Sequence, residues 1–212
     1  KKAKDSSAPK DAAVTRRAPK ASKPRRVQKI VPVREGRSVR LWLRRIVKWG
    51  MAGVCAVILV TVLWVGLYRF VNPPITPIML INYVTAEKGE ARIVRHWRSY
   101  NALPPKALLA IIAAEDQRFP EHCGFDTKAI RKAIQEHMDG ERLRGGSTLS
   151  QQTAKNVFLW TGRSWLRKGL EAYFTVLIES LWSKRRILEV YANVVEFGPG
   201  VYGLEAASQT YY

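Results

Sequence analysis

The stretch Met51–Tyr68, MAGVCAVILVTVLWVGLY, runs for 18 residues without a charge or a proline. A segment this apolar either fills a core or crosses a bilayer as a helix, the form that satisfies its own amides in lipid. With Trp49, Gly50 and Phe70 it reaches the roughly 20 residues needed to span the hydrocarbon layer, and Trp49 and Arg69 suit its two interfaces. It is longer than the apolar region of a cleaved signal peptide, and no small-x-small cleavage site follows. The expectation is a single transmembrane helix over residues 49–70, with a buried core helix as the alternative.

Charge supplies the orientation. Residues 1–48 carry 17 Lys and Arg against three acids, a net of +14, whereas the other 164 residues carry 19 against 14, a net of +5. The arm KKAKDSSAPKDAAVTRRAPKASKPRRVQK has few large apolar side chains, so it cannot offset its ordering entropy, and residues 1–48 are expected to be disordered. Basic flanks stay on the cytoplasmic side, which puts residues 71–212 outside. Such an arm could bind nucleic acid. Beside a span, however, orientation and attraction to anionic lipid explain it better, and no nucleic-acid partner is expected. Ser7–Lys10 matches S-x-x-K by chance, in the arm and with no K-T-G after it. Cys55 lies in the span and Cys123 outside it, so they cannot pair. Cys123 reads as structural filler beside His122.

Periodicity makes the outer domain mainly α-helical. FVNPPITPIML, with three prolines, reads as extended chain leaving the membrane. Its apolar residues either pack as an edge on the core or dip into the outer leaflet. ARIVRHWRSY alternates loosely, as a strand does. Helices are expected from Pro105 to about Asp116, over Thr127–Met138, after a Ser147 cap, from a Ser164 cap to about Trp182, from a Ser183 cap to about Asn193, and over LEAASQTYY. DGERLRGG and EFGPGVYG read as loops.

Four constellations carry chemistry. The first is Glu115-Asp116 with Phe119, His122, Gly124 and Asp126. A carboxylate at the end of an apolar helix can be partly desolvated, which raises its pKa toward that of a general acid or base; a solvated helix end is the plain alternative. The second is RGGSTLSQQTAKN, residues 144–156. Its glycines allow close backbone approach, its helix N-terminus favours an anion, and Thr148, Gln151/Gln152 and Lys155 recur on one face. The third is Arg167, Lys168 and Glu171, at spacings of three and four. This is either a surface ion pair or a second carboxylate beside two phosphate-binding cations. The fourth is KRRILEVYANVVEFGPGVYGLEAAS, in which Ile187, Leu188 and Tyr191 look like core, Asn193 a helix-end cap, and Lys184 and Arg185 ordinary surface residues.

The four patterns follow in this order within about 95 residues, and the arrangement resembles the glycosyltransferase domain that polymerises peptidoglycan. That family includes class A penicillin-binding proteins and stand-alone monofunctional transglycosylases; the short arm and single span favour the latter. The resemblance covers roughly residues 74–212 and implies a lysozyme-like helical domain over residues 71–212, shortened at its C-terminus relative to the family. It implies inverting polymerisation of lipid II into β-1,4 glycan at the outer face of a bacterial inner membrane, with release of undecaprenyl pyrophosphate. By that resemblance Glu115 would be the general base and Glu171 the second carboxylate. Lys155, Arg167 and Lys168 would neutralise the departing pyrophosphate. Ser147, Thr148, Gln151, Gln152 and Asn156 would hold sugar and phosphate groups, and Asp116, Phe119 and His122 would support the base. No residue cluster shows metal-ligand spacing, so no tightly held metal is expected, although Mg or Mn could assist the pyrophosphate. The partners implied are lipid II, the growing glycan strand, the membrane and cell-division or wall-synthesis proteins. A muramidase-like hydrolase and a non-enzymatic membrane scaffold are the competing readings.

Overall fold

Helix α1 (Glu35–Tyr68) contains the apolar run. The computed structural model describes residues 35–87, 91–129, 131, 135 and 146–212. The chain divides into two units, Lys1–Lys48 and Trp49–Tyr212. In the first, residues 35–48 are helical, which corrects the expectation of disorder up to residue 48. Between Ser38 and Lys48 there is no Gly or Pro, and Leu, Arg and Lys favour helix, so a helix nucleated in the apolar run extends through this flank at little cost. The rest of the arm lies outside the described residues. Among those residues one helix, Arg40–Tyr68, is long and apolar enough to cross a membrane, and 6% of its most apolar window is buried. Val54, Val57, Leu59 and Val60 face outward.

The last turns of α1 are built into the second unit. Val65 is fully buried, and its carbonyl accepts a hydrogen bond from Trp182 Nε1 at 2.8 Å. Trp64 meets Phe158 edge-on at 5.2 Å, and Phe158 stacks on Phe174 at 4.7 Å. Orphan carbonyls at the end of a helix need donors. Arg186 supplies one to Tyr68, its Nη2 donating at 2.9 Å, and donates at 3.0 Å to the carbonyl of Val71 just past the helix.

Helix α2 (Pro77–Thr85) replaces the expected extended segment. Thr76 caps it, accepting from the Met79 N–H, and Pro77 sits in the first turn, where its missing N–H costs nothing. Met79 plugs into the core while Ile75, Leu80 and Val84 stay exposed. Strand β1 (Val94–Arg95) follows, shorter than its sequence pattern, then a 3₁₀ turn (Tyr100–Ala102) and α3 (Pro105–Glu115). Residues 127–129 begin a further helix; most of the expected Thr127–Met138 helix and the loop after it lie outside the described residues.

Helix α4 (Leu149–Phe158) is central, packing on α5 (Trp165–Leu181) and α6 (Lys184–Val194). Leu149, Thr153, Ala154, Val157 and Phe158 are all buried, as a helix covered on several sides requires. Ser164 and Ser183 cap α5 and α6 as expected. EFGPGVYG, expected as a loop, forms β2 (Glu196–Gly198) and β3 (Val201–Tyr202). These make a three-stranded sheet ordered β1-β3-β2, parallel between β1 and β3 and antiparallel between β3 and β2. Gly203 then turns at φ 88°, where an added Cβ would lie 3.0 Å from Asn193 Cα, and α7 (Leu204–Tyr211) begins.

Candidate active site

Helix α3 ends at Glu115, and at Asp116 the backbone leaves helical geometry. That change sends two adjacent carboxylates to different places. Asp116 is buried; one oxygen accepts from Leu149 N at 3.0 Å, and the carboxylate accepts from His122 Nε2 at 2.9 Å. A carboxylate against the first N–H of α4 is favourable electrostatically. Phe119 is buried below, and Lys184 Nζ lies 4.5 Å over its ring. Lys184 also donates to the His122 carbonyl and to Glu179, so it pins this loop rather than lying free on the surface. Cys123 is exposed, contrary to its reading as filler.

Glu115 is exposed on the wall of a cavity of about 500 Å³ that also takes in Arg118, Asp126, Lys128, Gly146, Ser147 and Thr148. The desolvation expected of Glu115 is therefore corrected: α3 ends facing the cavity, and Asp116 takes the buried position instead. Asp126 Oδ1 accepts from Arg118 and from the N–H groups of Lys128 and Ala129. The Ala129 N–H first, and Arg118 after it, hold its carboxyl below the ordinary carboxylate value.

Thr148, not Ser147, caps α4. Its Oγ1 accepts from Gln151 N, and Gln151 Oε1 accepts from Thr148 N, a reciprocal capping box. The Thr148 hydroxyl also donates to the Gly124 carbonyl at 2.7 Å. Gly124 has φ 84°, and a Cβ there would come within 2.7 Å of Thr175. Gln151 is buried in this cap, so it is not available to hold sugar or phosphate. The expected anion-binding helix start is corrected in the same way, because Asp116 and the capping box occupy donors there.

The polar face of α4 opens instead on a second cavity of about 510 Å³. Gln152, Lys155, Asn156, Arg163 and Arg167 contribute to it. Gln152 links the two cavities: its Nε2 donates to Glu115 Oε2 at 2.7 Å, and its Oε1 accepts from Tyr191 OH at 3.3 Å. Glu171 is 3% exposed and lines neither cavity. Arg167 Nη1 donates to it at 3.1 Å, and Lys168 Nζ pairs with its other oxygen. The spacing thus forms an ion pair, but one behind a cavity wall that Arg167 itself lines. Lys168, half exposed, lines neither cavity. Sequence reading missed Tyr191, taken as core, and Arg163; only their position in the fold brings them in.

Asp116, His122 and Asp126 place one ligand atom each within 4.8 Å of one another, a convergence hidden in the linear spacing. The Arg118 guanidinium lies 2.8 Å from Asp126, and Leu149 N already bonds Asp116. A cation would have to displace these partners; His122 and Asp116 join the loop to α4 through Leu149 N, and Asp126 ties Arg118 to the start of the next helix.

A helical domain with an exposed cleft carboxylate, joined through an amide to a cavity lined by cations, holds the residue types that proton transfer and anion stabilisation use. A family model described as transglycosylase matches residues 82–212. Biosynthetic peptidoglycan transglycosylases are similar along most of the chain. That of Caulobacter vibrioides is 51% identical over 178 residues, covering 84% of this chain and 74% of the relative. That of Xanthomonas euvesicatoria pv. vesicatoria is 50% identical, covering 83% and 71%, and that of Bdellovibrio bacteriovorus 52%, covering 78% and 67%. The chain belongs to the transglycosylase family, and its helical domain agrees with the lysozyme-like fold expected.

Proposed function

We infer that the chain is a peptidoglycan glycosyltransferase of bacterial cell-wall synthesis that polymerises lipid II. The observation that carries this reading is the pair of cavities joined at Gln152, a carboxylate in one and Lys155, Arg163 and Arg167 in the other. An acceptor sugar in the first cavity presents its 4-hydroxyl to Glu115. Glu115 takes the proton as the oxygen attacks the anomeric carbon of the growing chain. The bond from that carbon to the pyrophosphate breaks on the opposite face, and the electron pair leaves with undecaprenyl pyrophosphate. The product is an inverted, β-1,4 linkage.

Pyrophosphate leaves readily when its charge is met, so cations matter more than a strong acid; a glycosidase must instead protonate a sugar leaving group. Lys155 and Arg167 meet that charge, with Asn156 beside them, and Lys168 acts on Arg167's partner Glu171. Ser147 and Thr148 border the acceptor side. Protein cations suffice, and Mg or Mn can assist; stoichiometric metal in the purified protein would contradict this.

The N-terminus is cytoplasmic and the domain lies on the outer face of the inner membrane. The basic arm and the outward-facing apolar residues of α1 support this. The exposed Leu80 and Val84 of α2 favour contact with the leaflet that holds the lipid substrate. Wall-synthesis proteins are the expected partners. Incubation with lipid II, and separately with finished glycan strands, tests the reaction: polymer from lipid II is expected, and strand cleavage without polymer would overturn it.

A further inference from the structure

Glu115 stands at the C-terminal end of α3, where the helix dipole disfavours negative charge, and its side chain is exposed. A base in that position must be aimed. Among the described residues, one hydrogen bond reaches its carboxylate, from Gln152 Nε2 to Oε2 at 2.7 Å. The Gln152 amide is held in turn by Tyr191 OH at 3.3 Å. The orientation of the amide follows from its neighbours. A carboxylate requires the N–H side, which leaves Oε1 for the phenol to donate to. Tyr191 is 3% exposed on α6. Burial, and then the charge of Glu115, push its hydroxyl well above the ordinary value for tyrosine, so it remains a donor at working pH.

We propose that Tyr191 is a positioning residue for the transfer reaction: acting through Gln152, it holds Glu115 Oε2 and leaves Oε1 turned to the cavity as the proton acceptor. The inference rests on the reading of Glu115 as the base. It reassigns Gln152 from substrate contact to a link between α6 and the reacting carboxylate. It also gives the burial of a tyrosine hydroxyl in the fourth motif a role that ordinary core packing lacks.

Among the described residues, few groups face Glu115. Asp116 is engaged by His122 and Leu149 N, and Arg118 by Asp126 and Glu121. Lys128 stands across the cavity, and Tyr191 lies behind the Gln152 amide. None of the others replaces the amide donor, so losing it leaves the carboxylate without the bond that aims it.

The test uses the full chain, with lipid II polymerisation followed across substrate concentration. Tyr191→Phe keeps the ring and removes the hydroxyl. The expected result is a fall in kcat of about 3–10-fold, the scale of one net hydrogen bond, with KM within twofold. Gln152→Met, which keeps length and removes the donor, gives the same signature if Tyr191→Phe folds poorly. In a Glu115→Gln background, Tyr191→Phe causes no further loss, whereas a merely structural role would repeat its cost there. Wild-type kcat in Tyr191→Phe and Gln152→Met would overturn the proposal, as would an effect confined to KM. The base reading fails separately, if Glu115→Gln alone keeps its rate.

Discussion

Two adjacent carboxylates end α3, and their partners decide what each can do. Asp116 is satisfied by a ring N–H and a backbone N–H, whereas Glu115, among the described residues, accepts one amide N–H and lines the cavity. An acid at the end of an apolar run was legible in the sequence. Its exposure was not, because it depends on a backbone turn at Asp116 and on residues 37 and 76 positions further on, Gln152 and Tyr191. Glu171 follows the same logic. Its spacing to Arg167 and Lys168 was legible, but burial behind the cavity wall makes it the group that holds Arg167. Glu171→Gln should therefore lower polymerisation at least ~10-fold, the scale of an interaction with a charged hydrogen-bonding partner. An unchanged rate would make the pair purely structural. Asp126 carries a pH dependence. Its folded carboxyl titrates below the ordinary 3.8, chiefly through the Ala129 N–H and then Arg118. Its stabilisation is present above that value and is lost as pH falls through it toward the folded pKa. Acid unfolding followed by circular dichroism should show a flatter dependence below about pH 4 in Asp126→Asn than in the parent.

Helix boundaries set by local chemistry were read well. Pro105, Ser164 and Ser183 start α3, α5 and α6 where the sequence indicates. At Ser147-Thr148 either residue can cap, and the choice falls to Thr148 because Asp116 reaches Leu149 N and Gly124 accepts the Thr148 hydroxyl. Helix α2 was misread because three prolines imply extended chain, although Thr76-Pro77 is itself a cap followed by a first-turn proline. The sheet was missed because its strands are two or three residues long and β1 pairs with β3 far along the chain. Thr148→Ala removes the cap and the bond to Gly124. It should cost about 1–2 kcal/mol in chemical denaturation; a change under ~0.3 kcal/mol would mean the cap is dispensable.

The same residues that start the catalytic domain end the candidate span. Val65 is core, Trp182 bonds its carbonyl, and Arg186 caps the end of α1, so the helix is not a loose tether. A cleft fixed to the end of the candidate span suits the lipid-borne substrate proposed. The candidate span was legible from composition alone, and its integration was not, because it depends on α4 and α5 returning to pack on Trp64 and on Trp182 and Arg186 reaching the carbonyls of Val65 and Tyr68. Arg186→Met should lower stability by about 1.5–3 kcal/mol, the range for hydrogen bonds to a charged group, measured by unfolding in detergent. Loss of the cap should loosen the cleft's hold on the span without altering the cleft itself.

The central claim is that Glu115 removes the proton from the attacking sugar hydroxyl. The direct measurement is the rate of glycan polymerisation from lipid II by the full chain carrying Glu115→Gln, with folding verified. A loss of at least ~100-fold is predicted, the low end for a general base, and polymerisation near the parent rate would contradict it.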